Sequence, residues 1–215
     1  MPHTLSPSSL SLFKECPRCF WLHLNQGIRR PTSIYPSLPY GIDKGLKERS
    51  NYYRERAKLP PELRKLGKEM VLFDHPLLGL WRNTLQGIQW KDTPGNILRG
   101  AVDDVLQCRD KLMVLEYVTR GFPLKEETLS YYQDQLDIYT FLLHKNNYTV
   151  EDHAYVLFYY PKGVNWRGDV WFHKELHQVP ISLSHAEQLF KNALDILKQD
   201  LPPPSAKCEF CQWRK

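Results

Sequence analysis

The sequence predicts an α/β fold with a mixed central sheet flanked by helices, and three observations predict it. Helical spacing opens and closes the chain, while runs rich in Val, Ile, Tyr and Phe fill its middle around one long helical stretch. The chain has 215 residues, 42% hydrophobic and 25% charged. That is ordinary globular usage and enough to bury a sizeable core, so disorder is excluded as the main state. Two Cys-x-x-Cys pairs lie at opposite ends, so one metal centre would tie the ends together. The expected organisation is a single domain over 1–215, with an N-terminal helical segment, 1–70, and a C-terminal cysteine tail, 202–215.

The elements follow in order. A helix is expected over 6–24, because Ser6 is a capping residue and Pro7 suits a first helical position. Pro17 should kink or split it. Several prolines make 27–39 a loop. A charged helix is expected over 42–57, with Glu48, Arg49, Arg54, Glu55 and Arg56 on a solvated face. Pro60-Pro61-Glu62 would open another helix reaching Met70. Strands are expected over 85–90, 97–107 and 112–119, and a long helix over 125–145. Residues 154–160 and 168–181 read as two further strands, the second alternating through Val170, Phe172 and Lys174. An amphipathic helix over 184–199 buries Leu189, Phe190, Ala193, Leu194 and Leu197. Pro202-Pro203-Pro204 stops it and leads into the last two cysteines.

Some function classes are excluded at once. No apolar run approaches the ~20 residues that cross a bilayer as a helix, so no membrane role is expected. The N-terminus lacks a charged start before an apolar block, so no secretory signal is expected and the anticipated compartment is the cytoplasm. The net charge is +5, and the isoelectric point near 8.9 admits nucleic acid without demanding it.

Cysteine usage is more specific. In a reducing compartment the pairs Cys16/Cys19 and Cys208/Cys211 read as four thiolates around one metal centre. Zinc and an iron–sulfur cluster satisfy that ligand count equally. The plainer reading is two unrelated pairs. Cys108, in an apolar strand, is expected to be a buried structural thiol.

A second constellation lies on the paired strands. Asp103 and Glu116 are spaced to meet across a hairpin and make an oxygen-rich pocket for Mg²⁺ or Mn²⁺. Alternation places Glu116 on one strand face with Val114 and Val118, where a charge needs a partner or a metal. Alternatively, Asp103 and Asp104 begin a turn and Glu116 pairs with a Lys or Arg.

Four stretches carry a resemblance: Leu5-Ser6-Pro7-Ser8-Ser9-Leu10 through Cys16-Pro17-Arg18; Gly100-Ala101-Val102-Asp103; Leu115-Glu116-Tyr117-Val118-Thr119-Arg120-Gly121; and Gln135-Leu136-Asp137-Ile138-Tyr139. In this order they resemble the PD-(D/E)XK nucleases of the RecB-like branch, which includes the CRISPR-adaptation and AddB-type iron–sulfur nucleases. The match spans 5–139, and the cysteine tail extends it. The resemblance implies a restriction-endonuclease-like core and divalent-metal-dependent hydrolysis of DNA phosphodiesters, in repair or defence. It implies Asp103 and Glu116 as metal ligands, the Tyr117 carbonyl as a third, and Asp43 in the place of a metal-binding His. Gln135 and Tyr139, four apart on one helix face, would contact nucleic acid. Ordinary helix-surface packing is the alternative for that pair. The cysteines would hold [4Fe–4S], or Zn²⁺, as a structural staple.

The sequence departs from that family in two places. Val118 stands where the family has its lysine, and losing such a cation removes ~10²–10³ in rate. Arg120 is the expected catalytic substitute, with Lys125 a second candidate. The alternative function is a catalytically inactive DNA-binding or assembly subunit. The cysteines also split two and two between the chain ends, where the iron–sulfur members split one and three. Arg29-Arg30, Arg82, Lys125, Lys162 and Arg167 are candidate phosphate contacts, and Trp166 or Tyr131-Tyr132 candidate base-stacking groups. Solvated surface and core packing are the plainer readings of each.

Overall fold

The computed structural model describes residues 2–31 and 37–212. It is a mixed α/β fold. The chain runs β1 (Thr4–Leu5), α1 (Pro7–Glu15), α2 (Pro17–Gln26), α3 (Ser37–Arg54), β2 (Met70–Leu72), α4 (Leu78–Trp81), β3 (Ile88–Lys91), β4 (Ile97–Gly100), β5 (Asp104–Cys108) and β6 (Lys111–Thr119). It continues through α5 (Gln133–Lys145), β7 (His153–Val164), β8 (Val170–Pro180), α6 (Leu183–Leu197) and α7 (Glu209–Gln212).

The predicted N-terminal helix is two helices, split at Cys16. Each starts with a proline at its first turn, where the missing N–H is harmless. Ser6 and Ser9 cap α1 reciprocally. Helix α3 begins at Ser37, inside the stretch expected to be loop, and ends at Arg54. Part of that expected loop, 32–36, lies outside the described residues, as do 213–215 of the cysteine tail. Pro61–Leu66 is a 3₁₀ helix rather than an α-helix, and Glu126–Tyr132 is a 3₁₀ turn leading into α5. The segment 1–70 is not purely helical, because β1 pairs in parallel with β4.

The main correction concerns 97–107. It is not one strand but two, in different sheets. Strand β4 belongs to a three-stranded sheet of order β1-β4-β3. Strand β5 belongs to a five-stranded sheet of order β2-β5-β6-β7-β8. Ala101, Val102 and Asp103 carry the chain from one to the other. In the larger sheet β6 and β7 run parallel, with α5 between them in sequence, and the other pairs are antiparallel.

Alternation divides the core. Val105, Val114, Val156 and Phe158 face a core shared with α1, α2, α5 and α6. Leu106, Met113, Leu115, Tyr117, Leu157 and Tyr159 face the other side, against Leu59, Leu63 and Leu46. Glu116 has the parity of the first face, which turns it towards α5. Cys108, at the end of β5, is half-buried rather than buried. Among the described residues no helix is long and apolar enough to cross a membrane.

Candidate active site and four-cysteine centre

Strands β5 and β6 form the hairpin that aligns the acids. Their register pairs Asp104 with Leu115, which carries Asp103 to the level of Glu116. The Tyr117 N–H donates to Asp103 Oδ2 at 2.9 Å and fixes that carboxylate. Gln135 Nε2, on α5, donates to Glu116 Oε1 at 2.6 Å and to the Tyr139 hydroxyl at 3.2 Å. Glu116 Oε2 is buried and has no hydrogen-bond partner. Asp43 comes in from α3. Thus Asp43, Asp103, Glu116 and Tyr139 line one cavity of about 740 Å³, with Val118 and Lys47 beside them. A second cavity, of about 450 Å³, shares Thr84, Ala101 and Tyr139 with the first and includes Gln135, so the two adjoin.

Lys47 was not singled out in the sequence. Its ammonium donates to Asp103 Oδ1 at 2.6 Å and to Asp43 Oδ2 at 2.8 Å. The spacing of Asp43 and Lys47, four apart on a helix, was the available signal. Burial pushes the Asp103 carboxyl above its ordinary range, Lys47 pulls it back, and the nearby Asp43 adds to the rise. Burial, and then the Asp103 carboxylate, push Glu116 well above the carboxylate range. Two acceptors facing each other in a buried pocket need a proton or a cation between them. Burial and the neighbouring Asp103 thus favour the neutral form of Glu116, against the pull of Lys47.

Arg120 does not join this group. Its Nη1 donates to Thr128 at 2.9 Å, and it does not line the cavity. Lys125 is likewise absent from the cavity lining. Arg82 is not a free phosphate contact, because its donors go to the Asp103 carbonyl, Asn51 and Asp104. Asp104 is fully buried and also accepts from Arg54, Ser50 and the Tyr117 hydroxyl. Arg54 and Arg49 are thus not on a solvated face: Arg54 holds Asp104, and Arg49 forks onto Glu62. Asp137 ties α5 to the start of α6 by accepting from the Ser182 N–H, and also accepts from Gln133 of its own helix. Trp166 is 86% exposed at the tip of the β7–β8 hairpin, with Arg167 over its ring. Tyr131 is exposed, and Tyr132 packs on Phe158 while lining the acid cavity. Arg29 and Lys162 are exposed.

The cysteines of the two pairs converge on one another. The Sγ atoms of Cys16, Cys19, Cys208 and Cys211 all lie within 4.8 Å of one another, and all four residues are buried. Such a cluster can hold a metal ion or cluster. Burial pushes the Cys19 thiol up to about 12. Burial also acts upward on Cys208, but the Cys211 N–H and the neighbouring thiols bring it down to about 7. Four thiols this close cannot all ionise without a cation among them. Arg30 is part of this centre rather than a free basic spot. It donates to Cys208 Sγ at 3.2 Å and to Glu15 at 2.6 Å, and its guanidinium lies over Phe210.

No protein-family model matches the chain, and no curated protein matches it. The crystal structure of SSO0001 aligns over 100% of this chain and 85% of its own chain, at 15% identity and a TM-score of 0.44.

Proposed function

We propose that the chain is a divalent-metal-dependent deoxyribonuclease of the PD-(D/E)XK type, as the sequence resemblance implies. The observation that carries the reading is the buried, unpartnered Glu116 Oε2, set beside Asp103 and Asp43 in one open cavity. The donor set suits a hard cation, since all three side chains offer carboxylate oxygen. Bound Mg²⁺ or Mn²⁺ supplies a Lewis acid for the phosphoryl oxygen and lowers the pKa of bound water.

The chain's own residues do the rest. Asp103 and Glu116 would hold the ion, with Asp43 lining the same cavity and paired to Lys47. Gln135 orients Glu116, and the Tyr117 N–H orients Asp103. Lys47 takes over the cationic role that Val118 cannot fill. It reaches the acids from a helix rather than from the strand, where it can stabilise charge on the phosphate as the metal takes the carboxylates. Tyr139 and Gln135 border the adjoining cavity and would meet the nucleic-acid strand.

A cleavage assay tests this. The protein is incubated with labelled single- and double-stranded DNA in Mg²⁺ or Mn²⁺, beside Asp103→Asn and Lys47→Met. Cutting is expected, with loss in Asp103→Asn and a fall of ~10²–10³ in Lys47→Met. The double variant Lys47→Met/Val118→Lys should recover part of the rate. Tight DNA binding without cutting in any variant would instead establish the inactive DNA-binding or assembly subunit.

A further inference from the structure

We infer that the four-cysteine centre takes one tetrahedral zinc ion, not an iron–sulfur cluster, and that Arg30 is its outer hydrogen-bond donor. The sulfur spacing carries this. Cys16 and Cys211 Sγ are 3.5 Å apart, Cys19 and Cys208 3.6 Å, and Cys19 and Cys211 3.7 Å. A tetrahedral site with Zn–S bonds of about 2.3 Å has its sulfurs about 3.8 Å apart. The observed spacing leaves room at the centre for a single ion at a normal bond length.

A [4Fe–4S] core does not fit. Each cysteine would bind a different iron, with the whole core of irons and sulfides between the thiolates. Sulfurs in near van der Waals contact exclude that core. The centre is also pinned from several sides, so opening it would move packed elements. Cys16 and Cys19 are fixed at the α1–α2 corner and on α2. Arg18 donates to the Pro202 carbonyl at 2.8 Å, and Trp21 to the Gln199 carbonyl at 2.9 Å, which holds the incoming C-terminal segment against α2. Of the divalent ions that accept four thiolates, zinc outcompetes ferrous iron in affinity.

Arg30 supplies what such an ion lacks. Zinc with four thiolates carries two net negative charges in a buried place, which needs compensation. The Arg30 guanidinium meets Cys208 Sγ at 3.2 Å while Glu15 and Phe210 hold it in position. A hydrogen bond from outside the ligand shell withdraws charge from the sulfur and fixes its orientation.

The test starts from the full chain, expressed in medium supplied with both iron and zinc and purified without oxygen. Metal and acid-labile sulfide are measured per chain. One zinc, no sulfide and no brown visible absorption are expected. Iron with sulfide, or a single iron, would overturn the zinc assignment. For Arg30, zinc release to a chromogenic chelator is compared in wild type, Arg30→Met and Arg30→Lys. Release should be ~10–100-fold easier in Arg30→Met and partly restored in Arg30→Lys. Cobalt-substituted protein gives a second readout: the thiolate-to-cobalt absorption should shift in Arg30→Met. Unchanged release and an unchanged cobalt spectrum would remove Arg30 from the centre. None of these outcomes depends on DNA cleavage.

Discussion

Glu116 shows how one side chain sets a pH dependence. Its carboxyl is buried against Asp103 and titrates well above the ordinary range. The folded state thus holds a proton that the unfolded state releases from roughly pH 4–5 upward. Stability falls as pH rises through that window, because the folded state binds more protons than the unfolded one. Glu116→Gln removes the penalty while keeping the size and a polar end. The metal-free variant should melt higher than wild type at pH 7.5, with the gap closing towards pH 4.5. Added Mg²⁺ should raise the melting temperature of wild type and not of the variant, by binding linkage. Equal melting of the two metal-free proteins at pH 7.5 would contradict the buried-proton account. Asp104 is the opposite case, a carboxylate already satisfied. Arg54 and Arg82 around it are 6% and 10% exposed. Asp104→Ala leaves two buried cations unpaired and should cost ~3–5 kcal/mol in denaturant unfolding.

Helix α3 is the element that joins Asp103 and Asp104. Asp43, Lys47, Ser50 and Arg54 recur at spacings of four, three and four, which puts them on one face. That face meets Asp103 through Lys47 and Asp104 through Ser50 and Arg54. In the sequence Arg54 reads, with Glu48, Arg49, Glu55 and Arg56, as part of a solvated charged face, because charge alone does not say what a face is turned towards. Strand β4 positions the site from the other side. A Cβ at Gly100 would fall 2.5 Å from Tyr139 Cε1 and 3.1 Å from Leu142 Cδ1. Gly100 therefore lets α5 lie close enough for Tyr139 to reach the cavity. Gly100→Ala should cost ~1–3 kcal/mol by overpacking and shift the Tyr139 ring. Thermal melting and the Tyr139 ring resonances check it; wild-type values for both would show that α5 can yield without loss.

At the scale of the whole molecule, two sheets and their helices are tied by contacts between the first helices and the last. The cysteine centre joins residues 189–195 positions apart, so it constrains nearly the entire chain. Cys208→Ala should lower the melting temperature by on the order of 10 °C, as loss of a structural metal site costs several kcal/mol in a chain of this size. It should also expose the segment after α6 to limited proteolysis, since residue 208 would no longer be tied to Cys19 on α2. Melting and digestion patterns unchanged from wild type would mean that packing alone holds the ends.

The sequence by itself determined the local elements that have local causes. Pro7 marked a helix start and Pro17 a kink or split, Ser6 marked a cap, a near-continuous apolar run marked β6 and alternation marked β8. It also placed Asp103 opposite Glu116 and each cysteine beside its near neighbour, because hairpin spacing and Cys-x-x-Cys spacing are short-range; that the two cysteine pairs meet was decided by the fold. What only the tertiary structure decided was contact between distant segments. Residues 97–107 look like one strand, yet the turn at Ala101–Asp103 sends them into two sheets, since β1 pairs with β4 and β6 with β5. Lys47 enters the acid pocket for the same reason, while Arg120 turns to the nearby Thr128. A cation's partner is set by where folding places it, and a strand-by-strand reading of position 118 cannot see a lysine arriving from a helix 71 residues earlier in the chain.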